Sequence, residues 1–125
     1  MKTVLLSIAI LFISLFSNAQ TRVLSSTSQL SEKNYYTGKW NNGPVNYTDI
    51  SFSFYEDMIV ASDKANSVYN IYSTEYFNKN GAKWYATDEN GDLCTIKMSL
   101  TSNDKLTLTV IYDSFLITYH ITELI

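Results

Sequence analysis

Cys94-Thr95-Ile96-Lys97-Met98-Ser99-Leu100, Leu106-Thr107-Leu108-Thr109-Val110 and Ile117-Thr118-Tyr119-His120-Ile121-Thr122 share one rhythm, an apolar side chain at every second position. Successive side chains of an extended strand point to opposite faces, so a period of two assigns each residue a side. Cys94, Ile96, Met98, Leu100, Leu106, Leu108, Val110, Ile117, Tyr119 and Ile121 fall on one face. Thr95, Lys97, Ser99, Thr107, Thr109, Thr118, His120 and Thr122 fall on the other. One dry face and one wet face is the mark of an antiparallel sheet, whereas strands of a parallel sheet are apolar on both sides. A helix would not keep this alternation.

Turn residues punctuate the chain upstream of that stretch. Asp88-Glu89-Asn90-Gly91-Asp92 contains an Asn-Gly pair, whose tolerance of positive φ makes it a strong hairpin signal. Asn78-Lys79-Asn80-Gly81, Ser102-Asn103-Asp104 and Asp113-Ser114 read the same way. Between these turns lie Ile50–Tyr55, Met58–Ala61, Ser67–Ser73 and Ala82–Thr87, rich in aromatic and β-branched residues. With a short first strand around Gly38–Trp40, the count is eight, each joined to the next by a short loop. The expected fold is all-β, an eight-stranded antiparallel up-and-down meander. Closure into a small barrel would remove both hydrogen-bonding edges, and a two-sheet sandwich is the alternative. Eight strands enclose a space that side chains just fill or that holds one small ligand, and the pattern does not decide between them.

The start of the chain has a different character. Met1-Lys2-Thr3 is basic, Val4–Phe16 is apolar apart from two serines, and Ser17-Asn18-Ala19 offers small residues to a signal peptidase. Residues 1–19 therefore read as a helical, cleaved signal peptide, and the mature protein as exported, to a periplasm or outside the cell. The apolar run is shorter than the 20 or so residues of a membrane anchor, so no stable membrane insertion is expected after cleavage. Gln20–Asn34 is rich in Ser, Thr and Gln and reads as a flexible N-terminal segment, leaving residues 35–125 as a single β-barrel domain.

Removing Lys2 leaves 8 basic against 12 acidic residues, a net charge near −4 with no run of like charges. A nucleic-acid partner is not expected, because phosphate neutralisation needs a clustered basic face. Cys94 is the single cysteine, so the fold must hold by burial rather than by an intrachain disulfide, and its apolar neighbours read it as a buried small hydrophobe. A metal site is not expected, since zinc calls for several His or Cys ligands and this chain has one of each. Asp88, Asn90 and Asp92 alternate oxygen ligands, but a calcium loop needs twelve residues ending in glutamate, so a hairpin turn is the better reading. His120 falls on the wet face with no nucleophile motif to serve. No cofactor is implied and no catalytic set can be assembled.

Gly38-Lys39-Trp40, placed at the mouth of the first strand of an eight-strand meander, resembles the lipocalins. The likeness is closest to the short lipocalin-like domains of exported bacterial proteins, and covers roughly residues 35 to 123. It implies that Gly38 and Trp40 form the barrel-end motif, with Trp40 plugging the closed end, and that the interior could receive a small apolar ligand. Lipocalins also pack a late arginine on that tryptophan, whereas Arg22, the single arginine here, precedes the barrel as read from the sequence.

On this reading Phe52, Phe54, Trp84, Met98 and Tyr119 are the candidate ligand-binding residues of the interior. The ten tyrosines are a compositional excess. Tyr47, Tyr55, Tyr69 and Tyr85 fall opposite inward residues, where exposed aromatics would serve recognition and buried ones would simply form strands. The expected function is that of an exported, non-catalytic lipocalin-like binding domain for a small apolar ligand or a protein partner. The alternative is a structural or envelope-associated interaction protein with a filled core and no ligand.

Overall fold

The computed structural model describes residues 21–63, 66–78, 81–100 and 105–124. The expected signal peptide and the turn at 102–104 lie outside the described residues. Those described form eight strands: β1 (Thr21–Lys33), β2 (Trp40–Phe54), β3 (Met58–Ser62), β4 (Asn66–Asn78), β5 (Gly81–Thr87), β6 (Leu93–Leu100), β7 (Leu106–Ile111) and β8 (Phe115–Leu124). Each pairs antiparallel with the next, and β1 pairs with β8 from Val23–Leu124 to Glu32–Phe115, closing the barrel. An all-β, eight-stranded antiparallel closed barrel is consistent with a lipocalin-like fold.

The two-residue rhythm maps onto the barrel as physics requires. β5, β6 and β7 pair without a register shift, so alternate apolar residues face inward against apolar partners: Trp84 opposite Ile96, Met98 opposite Leu108, Ile96 opposite Val110. Ile96 and Leu108 are completely buried, and Tyr119 and Ile121 of β8 pack against this core. Thr107, assigned to the wet face, is nevertheless buried, and its hydroxyl donates to the Ser99 carbonyl.

The N-terminal third corrects the sequence reading. The segment expected to be flexible is β1, a 13-residue strand that pairs on both sides. Gly38 and Trp40 do not form a first strand: Trp40 opens β2, which runs on through the Ile50–Phe54 stretch. Eight strands were expected and eight are present, but the first is a different one. β1 escaped detection because its inward positions are not uniformly apolar. Ser25 and Ser31 are buried beside Val23 while Leu30 is exposed, and β2 opposite carries two bulges. The β1–β2 pairing shifts register between Ser25 and Thr27 and again between Gln29 and Ser31. Each bulge adds a residue on one strand and reverses which side chains face in. Inward positions of β1 also include serines, and these are buried and bonded. The Ser25 hydroxyl lies within donating distance, 2.8 Å, of the Thr27 and His120 carbonyls. Ser31 donates to Asn42 Oδ1 at 2.7 Å.

β2 is paired with β3 only through Ser51–Phe54. Among the described residues its first eleven, Trp40–Ile50, have a strand partner on one side alone, β1. The upper halves of β1 and β2 thus form a ribbon that continues the barrel wall: β1 stays paired with β8 as far as Glu32, and β2 is the ribbon's free edge. Its tip is a turn in which Asn34 Oδ1 accepts the Tyr36 and Thr37 N–H groups, and Gly38 N–H bonds to the Asn34 carbonyl. Gly38 sits at φ 71°, which accounts for glycine at this position through turn geometry alone.

Candidate functional site

The five expected interior residues are brought together. Phe52, Phe54, Trp84 and Met98 are buried, and Tyr119 is partly buried against them. The Phe52 and Tyr119 rings meet edge to face with centroids 4.9 Å apart, and Phe54 and Trp84 lie at 5.8 Å. Phe52, Phe54 and Met98 each retain about a hundredth of their surface for water. A void large enough for water would show as exposed area on its lining, so these three side chains line none. They pack as a core does.

The expected barrel-end motif is placed elsewhere. Trp40 does not plug the barrel: it stands at the start of the ribbon's second strand, opposite Lys33, and is 38% exposed. Arg22 does not precede the barrel but lies within β1, exposed, opposite Ser53.

Two surface regions carry what the interior does not. The first is the ribbon. Of the eight most exposed large apolar side chains among the described residues, six lie on it or its turn: Leu30, Tyr35, Tyr36, Trp40, Val45 and Tyr47. Beside its tip, Leu30, Tyr35 and Phe115 line a groove of about 420 Å³ with Glu32 and Lys33 on its rim. Lys33 N–H bonds to the Ser114 carbonyl at 2.9 Å and holds the ribbon against the β7–β8 turn. The ribbon's outer edge is not an open template for another strand, since Pro44 removes a donor and two bulges twist it. The Gln29 side-chain amide donates to the Gly43 carbonyl at 2.9 Å, satisfying one of the groups that a bulge frees.

The second region surrounds the β5–β6 turn. The Asp88 carboxylate organises it: Oδ1 accepts the Asn90 and Asp92 N–H groups at 2.9 Å, and Oδ2 accepts the Tyr112 hydroxyl at 2.9 Å. Gly91, at φ 81°, completes the turn, so Asp88, Asn90 and Asp92 form a hairpin and not a cation loop. Burial opposes ionisation of Asp88, but the bonds from Asp92, Tyr112 and Asn90 outweigh it and hold its carboxyl below the ordinary range. Glu89 accepts the Val68 N–H at 2.7 Å and ties the turn to β4.

Under this turn lie Tyr69, Cys94 and Tyr112. Burial, then the neighbouring Tyr119, Cys94 and Asp88, pushes the Tyr69 hydroxyl up to about 12. Tyr69, read from its alternation as opposite to inward residues, in fact packs against the core. Burial and then the Asp88 charge raise the Cys94 thiol to about 11, so it stays protonated at neutral pH. Burial and the bond to Asp88 push Tyr112 upward too. A polar cleft of about 230 Å³ opens between Ser67, Tyr69, Asp88, Asn90 and Tyr112. Beside it, on the outer wall, a second cleft of about 150 Å³ lies between Tyr72, Tyr85, Leu93 and Ile111. Tyr112 borders both.

Sequence reasoning singled out Tyr47 and Tyr85 but not Leu30, Tyr35, Tyr72, Leu93 or Tyr112. The number of tyrosines was the available signal, but exposure depends on where the bulges fall. His120 is half-buried on β8, opposite Thr27 and Thr107. Among the described residues no three His, Cys, Asp or Glu side chains converge to hold a metal ion. Comparison with protein-family models, with curated proteins and with solved structures finds no match for this chain.

Proposed function

We propose that this chain is the precursor of an exported, non-catalytic recognition module. Its barrel is a packed scaffold, and it acts through its outside, by docking a protein partner on the β1–β2 ribbon. The observation that carries this reading is the concentration of exposed apolar side chains, six of eight among the described residues, on one ribbon and its turn at the free edge of the barrel wall. Tyrosine and tryptophan are enriched at recognition surfaces because they supply large contact area at low entropy cost. The groove beside Leu30, Tyr35 and Phe115 would take an anchoring side chain of the partner, with Glu32 and Lys33 as polar rim. Partner contact through side chains fits the ribbon better than strand addition, because Pro44 and the bulges blunt its edge.

The non-catalytic part rests on the protonated, buried Cys94 and on a His120 with no assembled partner set. Export rests on the composition of residues 1–19. The likeness to lipocalins is kept for the barrel and is not extended to a ligand in the lumen, where the packing of Phe52, Phe54 and Met98 lends no support.

The test is photo-crosslinking in the producing cells. A photoreactive side chain at Tyr35 or Tyr47 is expected to give the same discrete protein adduct, and one at exposed Lys97 is expected to give none. Adducts of equal yield from all three positions, or from none, would overturn the ribbon as the docking surface. Native mass spectrometry of the mature protein from the same cells should show the bare polypeptide mass; a retained small-molecule mass would return the function to the lumen.

A further inference from the structure

We propose a second binding site, for a neutral glycan chain, on the outer wall where β4 meets β5 beside the β5–β6 turn. The first observation is the way β4 is built. Its pairing with β5 shifts register twice, between Ile71 and Ser73 and between Thr74 and Tyr76, and the two residues left without a partner are Tyr72 and Glu75. These are the two that reach Tyr85. Tyr72 lies 28° from parallel to it with ring centroids 6.5 Å apart, and Glu75 Oε1 accepts the Tyr85 hydroxyl at 3.0 Å. Bulges re-aim side chains, and here both serve one small area of surface.

The second observation is that the group is held in place before any ligand arrives. Lys83 Nζ lies 2.9 Å from Glu75 Oε2 and 5.6 Å from the Tyr85 ring centroid. Tyr85 is thus fixed by its hydroxyl and bordered by an ammonium, while Tyr72 stays 61% exposed. An isolated ion pair at a surface contributes little stability. This one sets the orientation of an aromatic ring beside a cleft.

The third is the chemistry of the two adjoining clefts. The outer one sets the Tyr72 and Tyr85 rings, against which the C–H face of a pyranose ring can stack, beside the polar Thr95, Tyr112 and Asp113. The inner one offers hydroxyls and carboxylates from Ser67, Tyr69, Asp88 and Tyr112, partners for sugar hydroxyls. Tyr112 lines both clefts, so they lie side by side, and together they present stacking rings and hydrogen-bonding groups to a chain of sugars. Asp88, Glu89 and Asp113 line the clefts with Glu75 beside them, against the ammoniums of Lys83 and its cross-strand neighbour Lys97, a balance that disfavours uronic or sulfated polymers and favours neutral ones.

The test is native-gel affinity electrophoresis of the mature protein, with hydroxyethylcellulose or galactomannan cast in the gel as neutral probes and alginate as the anionic one. Retardation is expected in at least one neutral gel and not in alginate. Tyr72→Ala and Tyr85→Ala should each weaken it by about tenfold, equivalent to about 1.4 kcal/mol. Tyr72→Phe, which keeps the ring, should retain it and guards against misfolding of the alanine variant. Tyr47→Ala on the ribbon should also retain it, which separates this site from the protein-docking surface. No retardation by either neutral polymer, retardation by alginate alone, or retardation unchanged in both alanine variants would overturn the proposal.

Discussion

The wall formed by β5, β6 and β7 and the ribbon formed by the upper halves of β1 and β2 are both antiparallel pairings, yet the inner face of one is apolar and neither face of the other is uniformly so. In the wall, register is unbroken from Gly81–Ser99 to Ile96–Val110, so every inward position stays inward and can be apolar. In the ribbon, two shifts within ten residues reverse the faces, and neither side can become uniformly apolar. Its polar groups are met locally instead, by Gln29 on Gly43 and Ser31 on Asn42. Regular register builds a core. Interrupted register builds a surface that presents side chains.

The sharpest way to break this comparison is to remove β1. A chain starting at residue 34 loses the strand that closes the barrel between β2 and β8. Two edges open, and Val23, fully buried in the intact protein, is gone. Loss of cooperative thermal unfolding and collapse of amide dispersion in nitrogen–proton spectra are expected. Had residues 20–34 been a flexible lead-in, the shortened chain would melt like the full one, and that result would refute the closure described above.

The two tryptophans make a smaller and more quantitative test, one in each region. Trp84→Ala removes a buried side chain packed on Phe54 and should cost about 3–5 kcal/mol in urea unfolding. Trp40→Ala removes one that is 38% exposed and should cost less, about 1–2 kcal/mol. Equal costs would show that Trp40 does plug the barrel.

How much of this could be read from the sequence follows from the same contrast. The alternation at 94–100 and 106–110 placed Ile96, Met98, Leu108 and Val110 inside, where they are, because nothing interrupts their register. The all-β class and the antiparallel sense were legible for the same reason, whereas the count of eight was met because β2 was read as two strands and β1 was missed. β1 was not, since Ser25 and Ser31 occupy buried positions that composition assigns to solvent, and their suitability depends on carbonyl and carboxamide partners far along the chain. Gly38-Lys39-Trp40 was visible but its setting was not: the glycine answers to a turn at Asn34, a contact set by the unrecognised strand before it. The interior candidates were legible as a group. The outer clefts were not, because Tyr72 and Glu75 owe their direction to bulges that leave no mark in residue type.

The smallest expected effect concerns the turn that joins the regular wall to the clefts. Asp88 accepts three hydrogen bonds in the folded protein, and its carboxyl is held below the ordinary value of 3.8. A group whose folded value is depressed stabilises the fold above its unfolded value and loses that contribution as pH falls through the folded one. Near neutral pH, Asp88→Asn should therefore melt slightly below the native chain, since an amide offers one acceptor oxygen where the carboxylate offers two. As pH drops below 3.8 the native chain should lose stability faster, and the two melting temperatures should converge. All other carboxylates are common to both proteins, so the difference isolates this one. A gap that stays constant or widens on acidification would mean that the charge of Asp88 does not hold the turn, and that the bond from Tyr112 is incidental to it.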